Sequence, residues 1–180
     1  MKRALFVLLV GLATCTSLRA DESPKPGAVN LSPREAEKAM TVPDGFRVTL
    51  FAGEPDIRQP NTFCIDDRGR LWIGENYTYS KHGWNPDDRD RILIFEDTDN
   101  DGRFDRRKVF FDDFHYISGI EIGFGGVLIG SPPNLLFLPD RNRDDVPDGE
   151  PVVVLDGWGR YDHHETLNSF EWGPDGWLYG

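Results

Sequence analysis

Sulfur is scarce in this chain, with two cysteines and two methionines among 180 residues. Cys15 lies in a leader-like stretch, so Cys64 alone serves the rest of the chain and no internal disulfide can staple it. Its neighbours Phe63 and Ile65 mark Cys64 as a small buried hydrophobe. No Cys/His zinc spacing, Cys-x-x-Cys-His haem motif, Ser/His/Asp nucleophile set or phosphate-binding Gly loop is present. Basic residues are also few: 20 Lys and Arg face 31 Asp and Glu, a net charge of −11. That sign excludes nucleic acid as a partner, because phosphate must be neutralised by Lys and Arg. It equally excludes docking on anionic lipid.

Long apolar runs are missing as well. The longest, Ala4 to Ala13, is interrupted by Gly11 and is too short for a membrane span of about 20 residues. Lys2 and Arg3 precede it, and the small polar stretch Thr14 to Ala20 follows, which is the anatomy of a secretory signal cleaved after Ala20. Lipid attachment at Cys15 is the alternative, and it would be the only membrane contact. The protein is expected to be exported, periplasmic or at the cell surface.

Residues 21–31 read as a linker rich in Pro and Gly. Ser32-Pro33-Arg34-Glu35 is a capping box with proline in the first turn, and it predicts a short helix to about Met40. From Phe46 onward, short β-branched and aromatic runs alternate with Gly, Asp and Pro turns, the all-β pattern.

The turns repeat. Phe63 to Gly74, Ile120 to Gly130 and Phe170 to Gly180 are each strand, glycine turn, strand, with the turn glycine expected at Gly69, Gly126 and Gly176. A second hairpin follows in two copies, each built around an acidic turn. Asp97 to Asp140, and Asp113 to Asp156, are both 43 residues apart. Four strands in ~40–50 residues is the size of a propeller blade. The expected fold is therefore an all-β β-propeller over residues 32–180, with about two and a half to three blades and a short N-terminal helix. A β-solenoid is the competing architecture. Closing a propeller takes ~4–8 blades, so the expectation is an incomplete domain.

Two loops carry metal-type chemistry. Asp97, Asp99, Asp101 and Asp105 stand at loop positions 1, 3, 5 and 9, with Gly102 at the sharp turn and the Arg103 carbonyl as a further oxygen. That oxygen set suits calcium, although Lys108 replaces the bidentate glutamate of an EF-hand. Asp140, Asn142, Asp144 and Asp148 form a degenerate second copy, with Asp145 in the glycine position. Recurrence with the repeat makes these sites scaffold. His163-His164 precede the third hairpin, and a histidine there can serve as a general base. A surface histidine is the other reading of that pair.

Val42-Pro-Asp-Gly-Phe46, Asp67-Arg-Gly-Arg-Leu-Trp72, Arg89-Asp-Arg-Ile-Leu-Ile-Phe-Glu-Asp-Thr-Asp99 and Trp172-Gly-Pro-Asp-Gly-Trp-Leu-Tyr179 resemble one known family. They are similar to the N-terminal propeller of large exported dehydrogenase-like proteins typical of planctomycetes. The chain more distantly resembles soluble glucose/sorbosone dehydrogenases, which hold pyrroloquinoline quinone (PQQ) and calcium. The resemblance implies a sugar or alcohol dehydrogenase passing hydride to the quinone, with His164 as catalytic base. It also implies an electron acceptor, a c-type cytochrome domain in full-length relatives, whose haem motif is not in these residues. His164 stands one residue further from the Gly-Pro-Asp-Gly turn than in those enzymes. A non-catalytic glycan- or protein-binding propeller and a calcium-dependent lactonase-like hydrolase are the alternative readings.

Overall fold

The computed structural model describes residues 31–80, 83–84, 87–159 and 166–180. His82, His163 and the expected catalytic His164 lie outside the described residues. The expected helix forms as α1 (Pro33–Ala39). Its capping box is reciprocal: Glu35 N donates to Ser32 Oγ, and Ser32 N donates to the Glu35 carboxylate at 2.8 Å.

All later elements are strands. β1 (Pro60–Ile65), β2 (Leu71–Glu75), β3 (Tyr79–Ser80), β4 (Gly83–Trp84), β5 (Asp90–Glu96) and β6 (Arg106–Phe114) come first. Of these, β1, β2, β5 and β6 make one antiparallel sheet in that order, while β3 and β4 pair as a small hairpin. β7 (Gly119–Gly123), β8 (Gly126–Ser131), β9 (Asn134–Pro139) and β10 (Val152–Asp156) form a second antiparallel sheet. β11 (Glu171–Trp172) and β12 (Leu178–Tyr179) pair as a third unit. The two hairpins that recur in the sequence thus fuse into one four-stranded sheet in each full copy.

Strand alternation gives the first sheet two apolar faces. Trp72, Ile92, Ile94 and Phe110 point one way and meet Ile120, Val127, Ile129 and Leu138 of the second sheet, all at most 4% exposed. Ile73, Leu93 and Phe95 point the other way, against Phe51, Ile57 and Phe104. The segment before β1 therefore covers one face and the second sheet covers the other. The far face of the second sheet receives the third unit. Gly119 and Gly123 leave the space for it, since a Cβ would stand 2.9 Å from the Phe170 ring and 2.5 Å from Trp172.

Polar clasps accompany each packed face. The Asn61 side-chain amide donates to the Ile117 carbonyl, and Ser118 Oγ donates to Leu167 O at 2.9 Å. Gly74 and Gly130, at matching places in β2 and β8, admit Ile117 and Leu167 beside them.

One expected turn is corrected. In the turns of the three repeated hairpins the glycines with left-handed backbone are Gly69, Gly125 and Gly176, with φ of 76°, 75° and 83°. The middle one is Gly125 and not Gly126, because that hairpin is a residue shorter and pairs Gly123 with Gly126. Gly126 is needed for a different reason: a Cβ there would lie 2.4 Å from Leu138 O. Among the described residues no helix is long and apolar enough to cross a membrane.

Replacing Gly130 by alanine puts a Cβ 2.2 Å from Leu167 O, whereas Gly149 has open space around it. Urea denaturation is expected to show Gly130→Ala losing about 2 kcal/mol and Gly149→Ala remaining near wild type. Equal stabilities for the two variants would contradict this packing.

Candidate functional site

The loop between β5 and β6 is held by its own carboxylates. Asp97 accepts from Asp101 N at 3.2 Å and from Gly102 N at 2.8 Å. Asp101 accepts from Arg103 N at 2.8 Å, and Asp105 accepts from Thr98 N and Oγ1 at 2.5 and 2.6 Å. Oxygens of Asp97, Asp99 and Asp105 lie within 4.8 Å of one another, so three of the expected calcium ligands converge. Asp101 is not part of that group, and the Arg103 side chain turns away to Leu50 O and Glu37. The Asp101 amide lowers the pKa of Asp99, yet slight desolvation and the charges of Asp101, Asp105 and Asp97 leave it raised overall. Crowded carboxylate oxygens on an exposed turn fit a hard divalent cation such as calcium.

The loop between β9 and β10 repeats the backbone-donated bonds of this framework at a spacing of 43. Asp140 accepts from Asp144 N and Asp145 N, Asp144 from Val146 N, and Asp148 from Arg141 N. Asn100 and Arg143 share a left-handed backbone at equivalent places, and Asp145 takes the left-handed place of Gly102. Among the described residues, the carboxylate oxygens of Asp140, Asp144 and Asp148 do not converge as those of Asp97, Asp99 and Asp105 do. Asp145 has another use. It accepts from Arg70 Nη1 at 2.7 Å, while Arg70 Nε donates to Asp66 at 2.9 Å. The Trp72 indole also donates to Asp66 at 2.9 Å, and Arg143 pairs with Asp67. The second loop is thereby latched onto the first sheet. Sequence reasoning missed this latch because Arg70 and Asp145 are 75 residues apart and neither belongs to a local motif.

Burial works to raise the pKa of Asp66, but hydrogen bonds from Trp72 and from Arg70, together with the Arg70 charge, hold it below the ordinary 3.8. At the opposite end of the sheet Asp90 is fully buried. It accepts from Thr78 N and Oγ1 and from Ile117 N at 2.7–2.9 Å. Burial nonetheless pushes its pKa up. Thr78 Oγ1 in turn accepts from Tyr116 N at 3.0 Å, which fixes the linker between the sheets.

That linker walls a cavity of about 540 Å³ at the starts of β1 and β7. Among the described residues, its lining includes the amides of Asn61, Asn76 and Asn168, the Ser118 hydroxyl and the rings of Tyr79 and Tyr116, with no acidic or basic side chain. Asn168 follows His164 by four positions in sequence. Of the other histidines, His115 is exposed and its carbonyl accepts from Ser131. Hydroxyl and amide groups beside aromatic faces suit an uncharged, polyhydroxylated ligand.

These features define a class, a mostly β chain of repeated antiparallel sheets with acidic turns and one short helix. The chain belongs to the family described as Domain of unknown function (DUF7133), whose model matches residues 32–180. No curated protein and no solved structure matches it.

The Asp66–Arg70 latch makes a pH-dependent contribution. Because its folded pKa is depressed, Asp66 stabilises fully above 3.8, and that stability is lost as pH falls through the depressed value. Asp66→Asn is expected to cost about 3 kcal/mol at neutral pH by leaving Arg70 short of a partner. The gap from wild type, followed by denaturant melts, closes in strong acid; a gap independent of pH would contradict the ion pair.

Proposed function

We propose that residues 32–180 are the opening blades of an exported β-propeller that recognises a sugar or polyol and oxidises it. The observation that carries this reading is the uncharged, amide- and hydroxyl-lined cavity at the starts of β1 and β7. It is supported by the 43-residue spacing of the two acidic loops, by the stacking of like sheets and by the resemblance to quinone-dependent sugar dehydrogenases. In this reading His164 is the base that takes the substrate's hydroxyl proton. The Asn61 amide and the Ser118 hydroxyl orient hydroxyls, and Tyr79 supplies flat apolar surface.

PQQ, the redox cofactor that the resemblance implies, carries three carboxylates. The described lining of the cavity has no cationic side chain to meet them, so it does not form the quinone's site. In this reading the cavity serves the substrate. Calcium fits the first acidic loop, through Asp97, Asp99 and Asp105, as a structural ion. An exported location accords with the basic start and apolar run of the first twenty residues.

Dye reduction by the full chain, supplied with PQQ and calcium, tests the activity across aldoses and polyols. His164→Ala is expected to lower turnover at least about a hundredfold while leaving sugar affinity near wild type. Sugar binding with no turnover in the wild type would favour a glycan-binding propeller, and neither binding nor turnover would overturn the proposal. Calcium is expected to raise the melting temperature with a Kd of roughly 10⁻⁴–10⁻³ M, as in extracellular modules. Asp99→Asn should abolish that rise in a thermal-shift titration, and an unchanged rise would remove calcium from this loop.

A further inference from the structure

The inner hairpins of the three units, β1–β2, β7–β8 and β11–β12, share one register, so each has a leading face and a trailing face. Phe63 and Ile65 lead the first hairpin, Ile120 and Ile122 the second, and Phe170 and Trp172 the third. In the second hairpin this face lies on the first sheet, where Ile120 and Ile122 meet Cys64 and Trp72. In the third it lies on the second sheet, with Phe170 against Gly119 and Trp172 against Gly123. In the first hairpin the same face is bare: Phe63 is 69% exposed and Ile65 63%. Only its inner half is bare, because Phe51 and Ile57 cover Leu93 and Phe95 in the outer half.

The trailing faces show the converse. Cys64 and Trp72 of the first hairpin are buried, and so are Glu121 and Leu128 of the second. Their counterparts in the third, Glu171 and Tyr179, are exposed, Tyr179 by 54%. The chain thus makes one kind of interface twice and displays both halves of it a third time, unjoined. The two bare halves match in extent, since the first sheet needs cover over one hairpin and the third unit offers one hairpin. Apolar surface of this kind marks a place of association.

We propose that two copies of the chain associate head to tail, the Glu171–Tyr179 face of one covering Phe63 and Ile65 of the other. Two copies bring six units, within the ~4–8 that close a propeller, so the contact is made twice in one ring and does not grow into a fibre. This pairing rests on the propeller part of the proposed reading and not on its oxidation chemistry. It also completes the site. Phe63 lines the uncharged cavity, and Ile65 lines a second cavity of about 420 Å³ at the far ends of β1 and β7, so the partner copy adds a wall to each.

Glu171 sets the strength of the contact. Its counterpart Glu121 is buried beside the Trp172 indole, an N–H donor. Glu171 meets Ile65 at that place, which offers no donor, and burying a carboxylate there is unfavourable. Neutralising Glu171 therefore tightens the pair.

Sedimentation velocity of the full chain over a range of concentrations tests the pairing, with circular dichroism to check the fold of each variant. A monomer–dimer equilibrium is expected. Phe63→Asp and Tyr179→Asp should each weaken it at least roughly tenfold, while Val154→Asp, on the exposed strand β10, leaves it unchanged. An equal mixture of the first two variants keeps one intact contact of the two and should dimerise more tightly than either alone. Glu171→Gln should tighten the wild-type pair by about threefold or more, and it decides the matter if an aspartate variant fails to fold. A monomer at every concentration, species larger than a dimer, or a mixture no tighter than its components would each overturn the proposal. A monomer that still oxidises sugar would overturn the pairing alone and leave the proposed activity standing.

Discussion

The third strand of the first sheet is apolar on both sides, and no single sheet can satisfy such a strand. Ile92 and Ile94 face one way, Leu93 and Phe95 the other, and none is more than 3% exposed. Burying both sets requires a partner layer on each face, since every exposed side chain of this size forfeits about 1.5–3 kcal/mol. The segment around Phe51 and Ile57 supplies one layer and the second sheet supplies the other. The second sheet inherits the same demand, and the third unit meets it through the glycines that let Phe170 and Trp172 approach. Stacking is therefore a consequence of strand composition, and the polar clasps at Ile117 and Leu167 only set its alignment.

The two acidic loops show how one backbone frame can carry two purposes. Both are closed by the same Asp-to-amide bonds, so the chain path is common to them. What differs is the residue at the sharp turn. Gly102 has no side chain and fits beside Thr49, leaving the first loop's oxygens turned toward one another. Asp145 accepts the strain of a left-handed backbone and reaches Arg70 on the neighbouring sheet. At this turn the second loop thus exchanges a glycine for a contact between layers. The same exchange leaves one carboxylate oxygen buried without a partner.

Along β1 and β7 the two ends are chemically distinct. The starting end gathers amides, hydroxyls and tyrosine rings, with no charged side chain among the described residues that line it. The turn end gathers carboxylates in excess of guanidinium groups, with Trp172 and Phe124 beside them. Asp90 keeps the first end in shape by holding Thr78 and Ile117, and the Asp66–Arg70–Asp145 chain keeps the second.

Much of this was legible in the residues alone. Alternation, turn chemistry and the 43-residue spacing determined the all-β class, the hairpins, the capped helix and the acidic loops, because each depends on neighbours within one hairpin or one helical turn. The glycine pair 125–126 already marks the limit: local sequence permits either as the turn residue, and only the clash of a Cβ with Leu138 O assigns Gly126 to the strand. The hairpin of β3 and β4 carried no readable repeat. The Arg70–Asp145 bond, the burial of Glu121 and Asp90 and both cavities were decided by tertiary structure, since their partners stand far apart in the chain and meet only when one sheet is laid on the next.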